Sequence, residues 1–187
     1  MKGAPAGIRL APLRPSDAAP MFRWINDRDL VLHSAPFRPI SEAQHRAWFR
    51  RLQRRDDVFV FGIRLGDSDR LIGYCQLREV DPVHRSAELQ IRIGARDQWG
   101  RGYGTEAVAE LLRFAFLDRN LHRVYLHVLC TNRAAMRIYA KTGFVREGIM
   151  RQAAYIGGKF VNVALMAVLA EEFRSRRARL SWGRAIQ

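Results

Sequence analysis

The sequence predicts a mixed α/β fold in which helices flank a central sheet. The stretch SAELQIRIG alternates apolar and polar residues with a period of two, which indicates a strand with one face in the core. It runs into the glycine-rich turn DQWGRGYGT, after which Val108, Leu111, Leu112 and Ala115 recur at the spacing of one apolar helical face. Further strand-like and helix-like segments lie on both sides of this unit, so we expect strands and helices to share one core.

The N-terminal part is predicted to form a strand, two helical segments and a hairpin. GIRLAPL predicts the first strand and PSDAAPMFRWIND a short helical region. In ISEAQHRAWFRRLQRR, Ser41 and Gln44 have the spacing of a capping box, and Ala47, Trp48 and Leu52 recur at helical spacing. DVFVFGIR and LIGYCQLREV, joined by GDSD, predict two strands of a hairpin.

The C-terminal part predicts three more strands and a short helix. HRVYLHVL is a strand candidate, and NRAAMRIYAKTG predicts a helix closed by Gly143. The last two strands flank YIGGKF, whose Gly157 and Gly158 suit a tight hairpin turn. At 187 residues and 48% hydrophobic composition, the chain is long enough for one sizeable core, so we expect a single domain.

The charge of the chain favours anionic partners. Its formal net charge is +14, and of its 32 basic residues only Lys2, Lys141 and Lys159 are lysine. The planar guanidinium group of arginine suits phosphate oxygens, so nucleic acid, ribosomes and phosphorylated cofactors are all candidate partners. A solvated basic surface with few ligand contacts is the alternative.

Other features argue against membrane and metal roles. No apolar run approaches the ~20 residues of a membrane span, and the opening MKGAPAGIRLAPLRPSD lacks the apolar core of a signal peptide. Cys75 and Cys130 show neither metal-ligand spacing nor a disulfide framework, which fits a reducing compartment. The histidines show no metal-binding spacing either. We therefore expect a cytoplasmic protein that contains no metal and binds no membrane.

The glycine-rich turn predicts an anion site. A strand, a turn and a helix start bring unpaired backbone N–H groups together at the positive end of the helix dipole, where phosphate is the usual occupant. Gly100, Gly102 and Gly104 let the main chain approach such a ligand. A P-loop needs a lysine that this stretch lacks. A dinucleotide motif needs a glycine at position 105 and an acidic residue at the end of the next strand, whereas this chain has Thr105, and Asp118 precedes that strand. A purely structural helix entry remains the alternative.

Two motifs resemble the GNAT superfamily of N-acetyltransferases. WGRGYGTEAVAELLRFAF resembles its motif A, and TNRAAMRIYAKTGFVREGIMR resembles the following segment N-x-x-A-x-x-x-Y-x-x-x-G-F. FRWIND, ISEAQHRAWF and SAELQIRIG look like the branch that includes RimJ/RimL ribosomal-protein acetyltransferases and spermidine acetyltransferases. The resemblance covers residues 8–173, which leaves a tail at residues 1–7 and a basic tail at 174–187. It implies an α/β (α+β) fold with a mixed, mostly antiparallel central sheet flanked by helices.

The resemblance implies acetyl-CoA as co-substrate. In the family the pyrophosphate lies on the backbone of the turn, the pantetheine arm on the preceding strand, and an asparagine beside both. The first motif position, usually Gln or Arg, is an aromatic residue here, as it often is in this branch. The implied cofactor-binding residues are Ile91, Arg92, Ile93, Trp99, Gly100, Arg101, Gly102, Tyr103, Gly104, Thr105 and Asn132.

Two residues are the catalytic candidates. Tyr139 matches the family tyrosine that donates a proton to the departing thiolate, and a core aromatic is its structural alternative. An attacking amine must lose a proton, and Glu88 is the candidate to accept or relay it because alternation puts it on the face opposite Leu89. The alternative for Glu88 is a carboxylate paired with one of the many arginines, such as Arg85 or Arg92.

The acceptor is expected to be a primary amine that receives the acetyl group by direct transfer. A protein N-terminus, such as that of a ribosomal protein, is one candidate, and a polyamine, amino sugar or aminoglycoside is the alternative. Phe22, Trp24 and His84 are the candidates for the acceptor side. A non-catalytic module that binds nucleic acid or protein is the competing class, although nucleic acid is not the expected partner. We expect a monomer or a homodimer.

Overall fold

One seven-stranded sheet runs through the part of the protein that the computed structural model describes, residues 7–52 and 54–182, with side chains up to residue 176. The strand order is β1-β2-β3-β4-β5-β7-β6, and only β4 and β5 pair in parallel. This confirms the predicted mixed, mostly antiparallel sheet. The strands are β1 Ile8–Ala11, β2 Phe59–Leu65, β3 Leu71–Asp81, β4 Ser86–Ile93, β5 Arg123–Leu129, β6 Val145–Ile156 and β7 Lys159–Leu169.

Six α-helices accompany the described strands. They are α1 Ala18–Ile25, α2 Arg28–Leu32, α3 Glu42–Leu52, α4 Tyr103–Arg113, α5 Arg133–Thr142 and α6 Ala170–Trp182. None of these helices is long and apolar enough to cross a bilayer. The expected C-terminal tail is helical up to residue 182, and residues 183–187 lie outside the described part.

The apolar face predicted for the central helix is the centre of the core. Val108, Leu111, Leu112 and Ala115 are all completely buried. They pack in one hydrophobic cluster with the sheet residues, including Leu89 of β4. The periodicity of this segment therefore predicted its buried face correctly, because apolar side chains at helical spacing share one side of the helix.

The capping box of α3 is confirmed, but its buried face differs from the prediction. The Ser41 N–H donates to Gln44 Oε1 at 2.9 Å, and the Gln44 N–H donates to Ser41 Oγ at 3.2 Å. The buried residues of the helix are His45, Phe49 and Leu52, whereas Ala47 is exposed and Trp48 half-buried. His45 can be buried because its Nε2 lies 2.9 Å from the carbonyl of Ala18, which satisfies a polar atom that a count of apolar residues overlooks.

The parallel pair β4–β5 separates after three residue pairs. Ser86, Ala87 and Glu88 pair with residues 123–125 of β5, and the pairing stops there. Beyond that point β4 continues along β3 as far as Ile93, and β5 continues along β7 as far as Leu129. The two strands therefore diverge and leave a gap in the sheet.

A buried ion pair fixes the start of α1 to β2. Asp17 and Arg64 are 3% and 4% exposed, and the Arg64 Nη2 donates to both carboxylate oxygens of Asp17 at 2.6 and 2.7 Å. The Arg14 N–H donates to the same carboxylate at 2.8 Å. Such a pair is hard to break, since removal of one partner leaves a buried charge without compensation.

We expect Asp17→Ala to lower the free energy of unfolding by about 3–5 kcal/mol, because Arg64 would then be buried and unpaired. Asp57→Ala is the matched control, since Asp57 also pairs with an arginine, Arg55, but both of these side chains are about half exposed. Denaturant unfolding of both variants measures the difference. Equal losses in the two variants would show that burial of the Asp17 pair is unimportant.

Candidate active site

A cleft of about 520 Å³ occupies the gap between β4 and β5. The ends of the two strands form its walls, and the glycine-rich turn, the first turn of α4 and one face of α5 complete its lining. We call it the inter-strand cleft. All residues predicted to bind the cofactor line it except Arg101, and Tyr139 lines it as well. The fold thus brings these predicted residues together, while their roles stay predictions.

The glycine-rich turn presents backbone N–H groups to this cleft. In the described part of the chain the amides of residues 100–104 have no protein acceptor, whereas the Thr105 and Glu106 amides both donate to the carbonyl of Gly102. Of the amides expected to hold the anion, that of Thr105 is therefore already used. Gly100 and Gly102 have φ values of +75° and +89°, and a Cβ at either would meet no atom within 4 Å. The main chain here is accessible to a ligand from the cleft.

Trp99 covers part of the strand edge that was predicted to bind a pantetheine arm. Its indole Nε1 donates to the carbonyl of Ile93 at 2.9 Å, and its ring lies edge-on to His33 at 5.8 Å. A ligand hydrogen bond to the Ile93 carbonyl would require the indole to move. Ile91 lines the same wall, and its backbone receives no such side-chain contact within the described residues.

Asn132 organises the rim of the inter-strand cleft. Its Oδ1 accepts the N–H of Ala135 at 3.0 Å and so caps α5, while its Nδ2 donates to the carbonyl of His33 at 2.8 Å. The residue therefore fixes the start of α5 against the segment that follows α2. Both polar atoms of its side chain are engaged.

Tyr139 lies on the face of α5 that turns toward the cleft. The side chain is 7% exposed and its ring packs edge-on against Phe144 at 5.6 Å. Burial raises the pKa of the Tyr139 hydroxyl to about 12. The hydroxyl therefore remains protonated at neutral pH and can donate a proton.

Glu88 is buried at the last position of β4 that pairs with β5, and both oxygens of its carboxylate contact other side chains. It is 4% exposed; Arg78 Nε and Nη2 lie 2.6 and 2.5 Å from Oε2, and His127 Nδ1 lies 3.1 Å from Oε1. The predicted alternative, a carboxylate paired with an arginine, is therefore observed, although the partner is Arg78 and not Arg85 or Arg92. The observed partner Arg78 lies directly opposite Glu88 on β3, a neighbour that only the strand register reveals.

His127 is a candidate functional residue that sequence reasoning missed. It lines the inter-strand cleft and contacts Glu88, although its spacing from other histidines pointed only to a structural or surface role. A carboxylate is an acceptor, so the neutral ring must carry its proton on Nδ1 to make this bond, which leaves Nε2 with a lone pair. Alternation along HRVYLHVL predicts that His127 and Tyr125 share one face of the strand, but it does not predict that His127 lies beside Glu88.

A second cavity of about 530 Å³ lies on the face of β3 and β4 that α1 and α3 cover. We call it the acceptor-side cavity. Arg92 lines both cavities and so marks where they meet. The acceptor-side cavity is lined by Met21, Ile25, Arg38, Ile40, Gln44, His45, Trp48, Tyr74, Gln76, Arg78, Gln90 and Arg92.

The structure brings none of the predicted acceptor residues into either cavity. Phe22 packs against the ring of His45 at 5.4 Å, and Trp24 lies against the backbone of Gly94, where a Cβ would come within 2.0 Å of the indole. His84 lies in the exposed turn after β3, where its N–H donates to Asp81. From α1 it is Met21 and Ile25 that face the acceptor-side cavity, because helical geometry separates them from their aromatic neighbours.

Neither cysteines nor acidic residues suggest another kind of site. Among the described residues no three His, Cys, Asp or Glu side chains come together as a metal site. Cys75 is buried and its burial raises the pKa of the thiol, so the thiolate is disfavoured.

Comparison with known proteins identifies the family. Residues 8–145 match the Acetyltransferase (GNAT) domain. The chain is 37% identical over 106 residues to a spermidine N(1)-acetyltransferase of Vibrio cholerae, which covers 57% of the chain and 61% of that relative. It is 31% identical over 151 residues to a probable N-acetyltransferase, YjcK, of Bacillus subtilis, covering 79% and 78% of the two chains. The matched stretch thus spans less than two thirds of the spermidine acetyltransferase.

Solved structures agree with this result. A crystal structure of the Vibrio cholerae spermidine N-acetyltransferase in complex with CoA and spermine superposes with a TM-score of 0.82 at 27% identity, and covers 89% of this chain and 97% of that chain. Fold and sequence thus lead to one conclusion, which confirms the resemblance of the two motifs. The chain belongs to the GNAT acetyltransferase family.

Proposed function

We propose that this protein transfers an acetyl group from acetyl-CoA to a primary amine by direct transfer between two bound substrates. The observation that carries the proposal is the row of unpaired amides at the start of α4, which faces a cleft that also contains Tyr139. Unpaired N–H groups at a helix start bind phosphate, and the cleft continues from there between the diverging strands.

The residues present fit the diphosphate and the arm of acetyl-CoA. Gly100 and Gly102 leave open space above amides that have no acceptor among the described residues, as a bound phosphate requires. The edge of β4 at Ile91 offers backbone groups to an extended arm in the gap. Acetyl-CoA supplies an activated thioester, so no nucleophile from the protein is required.

Proton transfer is assigned to two groups on opposite sides of the cleft. In the neutral His127 ring Nδ1 donates to Glu88, so Nε2 is the atom that can accept a proton from the incoming ammonium group. The amine then forms the C–N bond at the thioester carbonyl and the C–S bond breaks. Tyr139, whose hydroxyl with a pKa of about 12 stays protonated until that moment, donates its proton to the departing thiolate and regains one from the new amide nitrogen. Glu88 in this proposal orients and stabilises His127 rather than contacting the amine.

The relatives support one class of acceptor over another. The names of the most similar relatives include spermidine acetyltransferases, which supports a small amine over the expected N-terminus of a ribosomal protein. A thiol-release assay with acetyl-CoA and a panel of peptides, polyamines, amino sugars and aminoglycosides tests the activity. The non-catalytic alternative predicts salt-dependent RNA or protein binding with no turnover of any amine.

We expect Gly102→Glu to weaken acetyl-CoA binding about 100-fold or more, since a carboxylate would occupy the phosphate position and repel it. Gly158→Glu is the matched control: Gly158 has a similar φ of +86° with equally open space, but lies in the β6–β7 turn and not in the lining of the cleft. Titration calorimetry with acetyl-CoA compares the two variants. Unchanged affinity in Gly102→Glu would contradict the location of the phosphate site.

We expect Tyr139→Phe to lower kcat by about 100-fold with little change in acetyl-CoA affinity, because the variant lacks only the proton donor. The exposed Tyr155 of the β6–β7 hairpin provides the control variant Tyr155→Phe, which should leave kcat unchanged. Steady-state kinetics combined with calorimetry separates the two effects. A loss of affinity that accounts for the whole effect would assign Tyr139 a packing role.

We expect His127→Gln to lower kcat/KM at pH 7 by about 100-fold, with the loss shrinking as the pH approaches the ~10.4 at which an alkyl amine loses its own proton. His122→Gln is the control, since His122 lies just before β5 and lines neither cavity. Rates from pH 7 to 10 measure the effect. A loss that is equal at every pH would indicate a structural role.

A further inference from the structure

We infer that the acceptor is a small primary amine that also carries an anionic group, a carboxylate or a phosphate, bound by arginines of the acceptor-side cavity. This inference rests on the proposed acetyl transfer and specifies the substrate class of that same site. It separates this protein from enzymes that acetylate polyamines, whose substrates carry only positive charge.

The lining of the acceptor-side cavity is cationic. Among the described residues it contains three arginines and no aspartate or glutamate, and its other polar groups are glutamine, tyrosine, tryptophan and histidine side chains. Within the described part of the chain, Arg38 and Arg92 have no carboxylate within 4.0 Å, and Arg78 shares its charge with Glu88. A triply charged polyamine would therefore meet like charges at short range, whereas an anionic group would meet guanidinium donors.

Arg92 is the main candidate to bind the anionic group. Its Nη2 donates to Ser34 Oγ at 3.1 Å, while its Nη1 is closed off from solvent and has no hydrogen-bond partner. A guanidinium with an unused donor, at the wall of a cavity whose described lining has no carboxylate, is a candidate partner for an anion once the side chain turns that donor toward the ligand. Tyr74, opposite Arg92 on β3, and Gln90, two residues before it on β4, line the same cavity and offer further polar contacts.

The position of Arg92 sets the distance between the two ends of the acceptor. Because Arg92 lines both cavities, an anion bound to it would lie between the acceptor-side cavity and the inter-strand cleft, which His127 also lines. Arg38 lies on the opposite, α-helical side of the cavity, in the loop between α2 and α3. The cavity volume of about 530 Å³ lies in the usual range for small-molecule pockets.

The surface as a whole does not explain this lining. Many arginines of the chain pair with carboxylates at the surface, as Arg70 does with Asp97 and Arg123 with Glu147. Arg38 and Arg92 differ because both line a cavity whose described lining contains no aspartate or glutamate. Their charge is therefore available to a ligand.

Two matched acceptor series test the inference. The first is hexylamine, ε-aminocaproate and hexamethylenediamine, which share one amine and one chain length and differ in the charge at the far end. The second is glucosamine against its phosphate ester, with spermidine as the polyamine reference. We expect the carboxylate or the phosphate member to exceed the neutral member in kcat/KM by about 10- to 100-fold, as charge-assisted hydrogen bonds do. The series that shows the larger ratio identifies the anion.

Variants locate the effect. Arg92→Gln and, separately, Arg38→Gln should reduce the ratio of kcat/KM between the anionic and the neutral member by about 10-fold or more. Arg50→Gln is the control, because it removes one positive charge from α3 at a residue that lines neither cavity. This ratio cancels any general effect on cofactor binding. Should Arg92→Gln disturb folding, the exposed Arg38 still provides the test.

The outcomes separate this inference from the proposed function. If acetyl-CoA binds and spermidine or hexamethylenediamine is the best acceptor, the inference is wrong, while the proposed acetyl transfer stands. Failure to bind acetyl-CoA overturns both. If acetyl-CoA binds and no amine is turned over, titration of ε-aminocaproate and the sugar phosphate into the CoA complex decides: binding that depends on Arg92 supports the inference, and absence of such binding overturns it.

Discussion

The separation of β4 from β5 after Glu88 is the constraint on which the site depends. Each strand keeps its other neighbour, so the sheet remains intact while the backbone between them is left without partners along one edge. Unpaired backbone groups inside a protein need acceptors and donors, and a ligand with an extended polar arm can supply them. The glycine-rich turn follows at the end of β4, so the same separation directs the amides at the start of α4 toward the gap. Strand edge and helix start thus form one continuous binding surface.

Glu88 links this surface to the acceptor side. It occupies the last paired position before the strands diverge, and its two oxygens contact a residue of each neighbouring strand, Arg78 on β3 and His127 on β5. One partner lines the acceptor-side cavity and the other the inter-strand cleft. A single buried carboxylate therefore contacts one residue from the lining of each cavity, and in the proposed mechanism it would orient both. This explains why a charged residue is retained at a position where burial of an unpaired carboxylate would be strongly unfavourable.

The sequence predicted the elements whose signals are local. The α4 face, the α3 capping box, the left-handed Gly143 and the Gly157–Gly158 turn all follow from residues close together in the chain, and all are confirmed. The contacts that depend on register were missed. Periodicity predicts neither His45 on the buried face of α3 nor His127 beside Glu88, because each ring forms a hydrogen bond with a partner on a distant element. The aromatic residues predicted for the acceptor side lie outside the cavity for the same reason: from α1 it is Met21 and Ile25 that line it.

The two sides of the site also differ in how far similarity can define them. The cofactor side consists mainly of backbone, namely amides, a strand edge and glycines without side chains, and such a surface survives extensive substitution as long as the fold is kept. The acceptor side consists of side chains from β3, β4, α1, α3 and the loop before α3, and these can change charge without any change in the fold. A match at 27% identity with a TM-score of 0.82 therefore says much about the first surface and little about the second. The charge of the acceptor-side cavity, with Arg38, Arg78 and Arg92 in its lining, is consequently the better guide to the substrate of this chain.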